Sequence, residues 1–286
     1  MLYRCYAKVN FTLEVLHTRA DGYHELASLA HTINLADDLR VEPADELLTR
    51  VEGLDIDPEI NLVAHAAALL QATLHERRGA ALSLVKRIPA AAGLGGGSSN
   101  AATTLVALNR LWGSRLHLHH LAELAAQLGS DVPFFLRGGA AVMHGRGEEL
   151  ELLPPMVGRW LVLLAPAHAV ADKTRRLYAA LTPSDFSSGR ATQAAAERLA
   201  HGEAFQCTNA FERAAGEIFP GLSEMWHNSE RLAQRQFHLS GAGPALFAFA
   251  ADRADAQRAA KAIGETAYAV RTVKHARATT NAIRYA

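Results

Sequence analysis

The chain has 286 residues, 49% of them hydrophobic, and its 29 Lys+Arg balance 29 Asp+Glu to a formal net charge of zero. That length suits one large domain or two lobes with enough core to fold unaided, and the lack of a basic excess or stripe argues against a nucleic-acid partner. No apolar run is long enough for a membrane span. The start, Met1 to Phe11, lacks the apolar stretch and cleavage site of a signal peptide, and no targeting segment of a plastid precursor is visible. Cys5 and Cys207 are two isolated thiols, too few for a disulfide framework. They fit a reducing compartment, so the expected location is cytoplasmic.

Taken in chain order, residues 2–16 read as a strand rich in Tyr, Val, Phe and Leu. On it Lys8, Asn10 and Thr12 share one face, while Tyr3, Cys5, Val9 and Phe11 take the other. Residues 17–24 carry turn chemistry around Asp21-Gly22. A partner strand follows at 26–34, with a short one at 39–42. Asn61 can cap a helix running to about Arg78, with Leu62, Ala66, Leu69 and Leu70 as its apolar face. Residues 81–87 alternate like a strand. After the loop at 88–97, Ser98 opens a helix of about one turn per 3.6 residues reaching Leu111. A further helix spans 118–128 and stops at Gly129. Residues 140–153 read as a hairpin turning near Gly145-Arg146-Gly147. Pro154-Pro155 marks the expected lobe boundary, giving lobes 1–155 and 156–286. Beyond it come a strand at 160–164, a helix at 171–181, two or three helices to about 235, a strand at 245–250, a helix at 252–263 and two final strands. Strands and helices mix without strict βαβ alternation, which favours an α+β fold.

Four features carry chemistry. Gly93, Gly95, Gly96 and Gly97 lie between a strand and a helix, where glycine lets successive backbone N–H groups turn toward one anion and the helix start adds its free N–H groups. Ser98 and Ser99 add hydroxyls able to meet phosphate or approach magnesium. The bland alternative is a flexible turn that caps a helix. The segment lacks the Gly-Lys-Ser/Thr ending of a P-loop. It also lacks the third glycine and the downstream acid of a dinucleotide fingerprint. Lys8 and Asn10 sit within an apolar strand and need polar partners, unless that face is solvated. Gly129-Ser130-Asp131-Val132-Pro133 by itself reads first as a helix cap, a use compatible with a positioned, ionised carboxylate. Asp21-Gly22-Tyr23-His24 is either a surface hairpin or an aromatic and a histidine presented to a ring. His117, His119 and His120 lack the spacing of ligands and read as a solvated helix start.

Together these segments resemble a known family. Tyr6-Ala7-Lys8-Val9-Asn10 and Arg19-Ala20-Asp21-Gly22-Tyr23-His24-Glu25-Leu26, then Pro89 to Ala102, Ser130 to Phe135, and Leu239 to Gly243 occur in the order found in the galactokinase, homoserine, mevalonate and phosphomevalonate (GHMP) kinase superfamily. Within it they are most similar to the 4-diphosphocytidyl-2-C-methyl-D-erythritol kinase family. The resemblance implies a two-lobed fold: an N-terminal lobe holding the ATP loop, a C-terminal lobe of ferredoxin-like character, and the active site between them. It implies ATP with magnesium, and transfer of the γ-phosphoryl group to the 2-hydroxyl of a cytidine-diphosphate-linked methylerythritol, in the non-mevalonate route to isoprenoid precursors. Asp131 would be the base and Lys8 the catalytic lysine. Pro89, Ala90, Ala91, Ala92, Gly93, Leu94, Gly95, Gly96, Gly97, Ser98 and Ser99 would form the ATP loop. Asn10, Tyr23, His24, Tyr178, Gly241 and Gly243 would serve the substrate, and no protein ligand for magnesium stands out. Around Tyr178 the segment Ala171-Asp172-Lys173-Thr174-Arg175-Arg176-Leu177-Tyr178 departs from the family's usual form. Two rivals remain: a superfamily kinase with a homoserine, mevalonate or sugar acceptor, and a catalytically silent sensor of ATP and a small ligand. Residues 184–235 match no motif.

Overall fold

The computed structural model of the chain describes residues 1–53, 61–166 and 170–274. The first half builds strands β1 (Leu2–Asn10), β2 (Thr12–Thr18), β3 (His24–Ala44), β4 (Leu47–Glu52) and β5 (Gly79–Val85) around helix α1 (Leu62–Leu74). Helices α2 (Gly96–Leu111), α3 (Leu118–Leu128) and α4 (Val132–Arg137) follow, and then the hairpin β6 (Ala140–His144) and β7 (Glu149–Leu153). The second half contains β8 (Trp160–Leu164), α5 (Lys173–Ala179), α6 (Arg190–Ala200), β9 (Thr208–Asn209), α7 (Glu212–Ile218), α8 (Leu222–Ala233), β10 (His238–Leu239), β11 (Leu246–Ala250), α9 (Arg253–Ile263) and β12 (Ala267–Arg271). Of the two final strands expected, β12 is the one seen; residues beyond 274 lie outside the described residues.

Strand β3 is the spine of the first sheet. It pairs antiparallel with β1 and β5 toward its end, and with β2 and β6 toward its start. The expected interruption near residues 35–38 does not occur, although the sequence there is acidic. Asp37 is fully buried within the strand, where it accepts from the backbone N–H groups of Arg87 (2.7 Å) and Ile88 (2.8 Å), from Asn100 Nδ2 (2.9 Å) and from the Lys86 ammonium. A carboxylate so satisfied does not end a strand. The expected first strand, in contrast, divides at Phe11 into β1 and β2.

A register shift between Tyr6 and Lys8 changes which side chains share a face. Tyr3 and Cys5 pack with α1 and α2, while Ala7, Val9 and Phe11 enter a different core. Lys8 follows Tyr3 and Cys5 to the helix side, its Cγ standing 3.2 Å from where a Cβ on Gly95 would be. The expected alternation is thus correct from Lys8 onward and inverted before it, because a bulge adds one unpaired residue.

Three cores follow from this layering. Helices α1 to α4 cover one face of the first sheet through Leu39, Leu70, Leu105, Leu108 and Phe134. The second sheet has order β10-β11-β8-β12 with antiparallel pairings, and α7, α8 and α9 cover its outer face through Phe219, Leu222 and Ala256. Its inner face supplies Leu161, Leu163 and Phe247 to a core shared with Val9, Phe11, Leu29 and Ile33 of the first sheet. The chain also crosses back after β8. Strand β9 pairs parallel with β2, and Glu14 of β2 accepts from the Thr192 N–H at the start of α6 (2.6 Å) and from Ser187 Oγ (2.8 Å).

Local chemistry accounts for most helix ends. Asn61 Oδ1 accepts from the Val63 N–H (3.0 Å), and α1 closes at His75 in the left-handed region, three residues before the end expected at Arg78. Helix α2 begins at Gly96, two residues ahead of Ser98, so Gly96 and Gly97 belong to its first turn. Strand β4, exposed at the sheet edge and parallel to β5, has too weak an apolar alternation to be seen in the sequence.

Candidate active site

Lys8 and Asn10 project from β1 toward the start of α4. Lys8, only 4% exposed, donates from Nζ to Asn10 Oδ1 (2.5 Å) and forms an ion pair with Asp131 Oδ2 at 3.2 Å. Asn10 Nδ2 donates to Ser28 Oγ (2.7 Å), and Ser28 donates to the Thr12 carbonyl (2.6 Å), so both ends of the Asn10 amide are committed. Asp131 occupies the N-cap position of α4 without a capping hydrogen bond from its side chain. Its carboxylate faces Lys8 instead and is 35% exposed, open enough for an incoming hydroxyl.

The loop 88–95 is held by its neighbours. Its start is fixed by Asp37, and its Leu94 carbonyl accepts from the Lys8 N–H (2.9 Å). Gly93 and Gly95 have φ of +82° and +68°. A Cβ on Gly93 would lie 2.3 Å from the Ser240 carbonyl oxygen, and one on Gly95 would lie 2.7 Å from the Phe135 ring. Glycine is therefore required at both by backbone conformation and by close approach. The loop, with Lys86, Asn61 and Leu62, lines a cavity of about 270 Å³ at the start of α2. Pro89 through Ser98 all reach this cavity, whereas Ser99 lies beneath it, fully buried. Among the described residues the Ser99 hydroxyl has no hydrogen-bond partner.

A larger cavity of about 610 Å³ adjoins it, with Ser98 in both walls. Lys8, Asn10 and Asp131 line it, together with Tyr23, His24 and Tyr178. His24 and Tyr178 stack with ring centroids 4.6 Å apart at 17°, and Phe211 meets Tyr178 edge-on at 4.9 Å. Tyr23 stands more exposed, with the Arg146 guanidinium 4.8 Å from its ring centroid. Burial pushes the His24 pKa below its ordinary value, which favours a neutral ring. Burial, reinforced by the negative charge of Asp131, pushes the Tyr178 phenol up to about 12.

The turn 240–244 closes the site from the C-terminal half. The Asn10 N–H donates to Ser240 Oγ (3.2 Å), Ser240 Oγ donates to the Gly93 carbonyl (3.4 Å), and the Ala245 N–H donates to the Ala92 carbonyl (3.0 Å). Asn209 Nδ2, at the end of β9, donates to the Leu239 (3.0 Å) and Gly241 (2.9 Å) carbonyls. Gly241 lines the larger cavity beside Asn10; Gly243 does not, and turns toward Leu239 and Phe219.

Several residues at the site escape sequence reading. Ser28 and Asn209 carry no motif. Arg146 had a signal, a cation between two glycines of a hairpin turn, and Lys173 had one in its irregular segment. Asp37 had the clearest, an acid within an apolar run that must find a partner. His117, His119 and His120 cluster as rings, and among the described residues no group of three or more His, Cys, Asp or Glu side chains could hold a metal ion. No helix among those residues is long and apolar enough to cross a membrane.

Residues 61–139 match the family model for the GHMP kinases N terminal domain, and residues 191–269 that for the GHMP kinases C terminal. With the α+β fold of two packed sheets, this defines the class: an ATP-dependent small-molecule kinase of GHMP type. A 4-diphosphocytidyl-2-C-methyl-D-erythritol kinase of Dehalococcoides mccartyi is 41% identical over 255 residues, covering 88% of this chain and 90% of that one. One from Enterococcus faecalis is 36% identical over 279 residues, covering 95% and 98%. The chain belongs to the 4-diphosphocytidyl-2-C-methyl-D-erythritol kinase family. A crystal structure of 4-(cytidine 5'-diphospho)-2C-methyl-D-erythritol kinase superimposes with a TM-score of 0.81 at 38% identity, covering 95% of this chain and 99% of that one. A homoserine kinase from Cytophaga hutchinsonii shares the fold at TM-score 0.71 and 18% identity, covering 96% of this chain and 95% of that one.

Proposed function

We propose that this kinase transfers the γ-phosphoryl group of ATP to the 2-hydroxyl of 4-diphosphocytidyl-2-C-methyl-D-erythritol, with Asp131 accepting the hydroxyl proton. The observation that carries this reading is the Lys8–Asp131 pair at 3.2 Å, standing where the larger cavity meets the glycine-rich loop. Phosphoryl transfer asks a protein mainly for alignment and charge stabilisation. Backbone N–H groups at the start of α2 face the phosphates. Lys8 lies beside the acceptor oxygen and offsets negative charge that develops as the proton leaves. Asn10, immobilised by Lys8 and Ser28, orients the acceptor. Tyr23, His24 and Tyr178 receive the cytosine, stacking supplying affinity and the polar edge of His24 discrimination.

Magnesium fits this arrangement as an ion carried by the nucleotide. The Ser98 hydroxyl in the cavity wall would approach it, with the phosphates and water supplying its other ligands. When bound, the ion neutralises charge on the β- and γ-phosphates.

The test is incubation of the purified protein with ATP, magnesium and 4-diphosphocytidyl-2-C-methyl-D-erythritol, followed by phosphorus NMR, with Asp131→Ala alongside. A new 2-phosphate monoester signal is expected, and it should vanish in the variant, whose rate falls by a factor of about 10² to 10⁴. Nucleotide binding without turnover would reject this acceptor, and a screen of homoserine, mevalonate and sugars would then identify another.

A further inference from the structure

Helix α5 delivers one more cation to the edge of this site. The Lys173 ammonium donates to the Gly243 carbonyl and, at 3.4 Å, to the Ala242 carbonyl, both in the turn that closes over the loop. That turn touches the loop directly, since a Cβ on Gly93 would lie 2.9 Å from the Gly243 nitrogen. Ala242 also lines the larger cavity together with Lys8 and Asp131. Backbone carbonyls do not neutralise an ammonium, so a lysine held by two of them has only the nearby Asp131 carboxylate, already paired with Lys8, to offset its charge.

We propose that Lys173 is a positioning residue for phosphoryl transfer: it pins the 240–244 turn over the phosphate loop and adds a second positive charge near the Lys8–Asp131 pair. The role rests on the proposed reading of Lys8 and Asp131 as the transfer centre. The titratable groups facing Lys173 from other elements are Lys8 on β1 and Asp131 at the start of α4. On its own helix Tyr178 keeps its proton in the relevant range, and Asp172 pairs with Arg175 (2.5 Å). Burial, and then the proximity of Lys8, push the Lys173 pKa down to about 8, with Asp131 opposing. The protonated form binds an anion better, so nucleotide affinity contributed by Lys173 is present below about pH 8 and is lost as pH rises through it.

The experiment measures binding of a non-hydrolysable ATP analogue by calorimetry from about pH 7 to 9.5, a range that brackets the Lys173 titration. It uses wild type, Lys173→Met and Lys173→Arg, with kcat and KM for the acceptor in parallel. Lys173→Met should weaken analogue binding and lower kcat by roughly 10- to 100-fold, with the acceptor KM within about 3-fold. Its affinity should no longer fall with pH. Lys173→Arg, charged throughout the range, should regain part of the affinity and move the decline to higher pH. Analogue affinity and kcat of Lys173→Met within about 2-fold of wild type, or a Lys173→Met pH profile that parallels wild type, overturns the proposal. If Lys173→Met fails to fold, Lys173→Gln replaces it, with the same expected and overturning results. Absence of acceptor turnover by wild type, with the analogue behaving as described, would count against the proposed acceptor and leave Lys173 in its role.

Discussion

An ammonium on an apolar strand is destabilising unless it is paired, and Lys8 meets that requirement at both Asn10 and Asp131. The sequence signal was the unmet need itself: a lysine and an asparagine two residues apart where solvent is excluded. Asp131 was legible only as an alternative between cap and base, since both uses favour a carboxylate at a helix start. In the fold its side chain makes no capping hydrogen bond and turns to Lys8. In the same cavity, Tyr178→Ala removes the ring on which His24 stacks and which Phe211 supports. We expect the acceptor KM to rise roughly 3- to 10-fold with kcat within about 2-fold, measured by steady-state kinetics. An equal fall in kcat would assign Tyr178 to the transition state instead. Gly95→Ala places a Cβ 2.7 Å from the Phe135 ring at a φ of +68°. It should lower stability by about 1–3 kcal/mol in urea denaturation and weaken nucleotide binding at least 10-fold.

At the scale of elements, the glycine-rich loop keeps its shape because rigid parts hold it at several points. Asp37 on β3 holds residues 87 and 88, β1 holds Leu94, Ser240 of the closing turn holds Gly93, and Ala245 just after it holds Ala92. Asp37 is the strongest of these anchors, and it sits in a segment that reads as a break between strands. Replacing it with Ala leaves the Lys86 ammonium, 7% exposed, with only Asn100 as a side-chain partner. The expected cost is about 3–5 kcal/mol in chemical denaturation, because a buried charge loses its counter-ion. The double variant Asp37→Leu with Lys86→Met should recover much of that stability while nucleotide affinity stays low, since the loop anchor is still missing. Equal stability of the single and double variants would show that the ion pair contributes little. The proposed division near residue 155 falls between β7 and β8, yet β9 and α6 return to β2, so the contacts are less divided than the chain order.

For the whole molecule, the decisive feature is the core shared by the two sheets, with Phe11 and Phe247 at 5.6 Å. Both halves should therefore unfold in one transition by calorimetry and by tryptophan fluorescence; two separated transitions would contradict this. His31 lies beside that core, fully buried, with Nδ1 donating to the Thr32 carbonyl (2.9 Å) and Nε2 lacking a partner among the described residues. Burial lowers its pKa to about 4, against an ordinary 6.5. A lowered folded-state pKa means that the unfolded chain takes up the proton first. Stability from this group is complete above pH 6.5 and declines as pH falls toward 4, by about 3 kcal/mol in all. His31→Asn should flatten this part of the stability profile measured by urea titration at each pH. An unchanged profile would place the acid sensitivity elsewhere.

Sequence alone determined the features that depend on near neighbours. The helices at 118–128 and 252–263 and the strand at 160–164 follow from local periodicity and end signals, and the glycine-rich loop follows from what a backbone without Cβ can do. Order along the chain also sufficed to indicate the kinase family. Tertiary structure decided whatever depends on residues far apart. It set the bulge that places Tyr3 and Cys5 with Lys8, the continuity of β3 through Asp37, and the start of α2 at Gly96. It also set the return of β9 to β2 and the approach of Lys173 to the closing turn. Each of these depends on a partner many positions away, and a buried polar group adopts the conformation that satisfies its distant partner rather than the one its neighbours prefer.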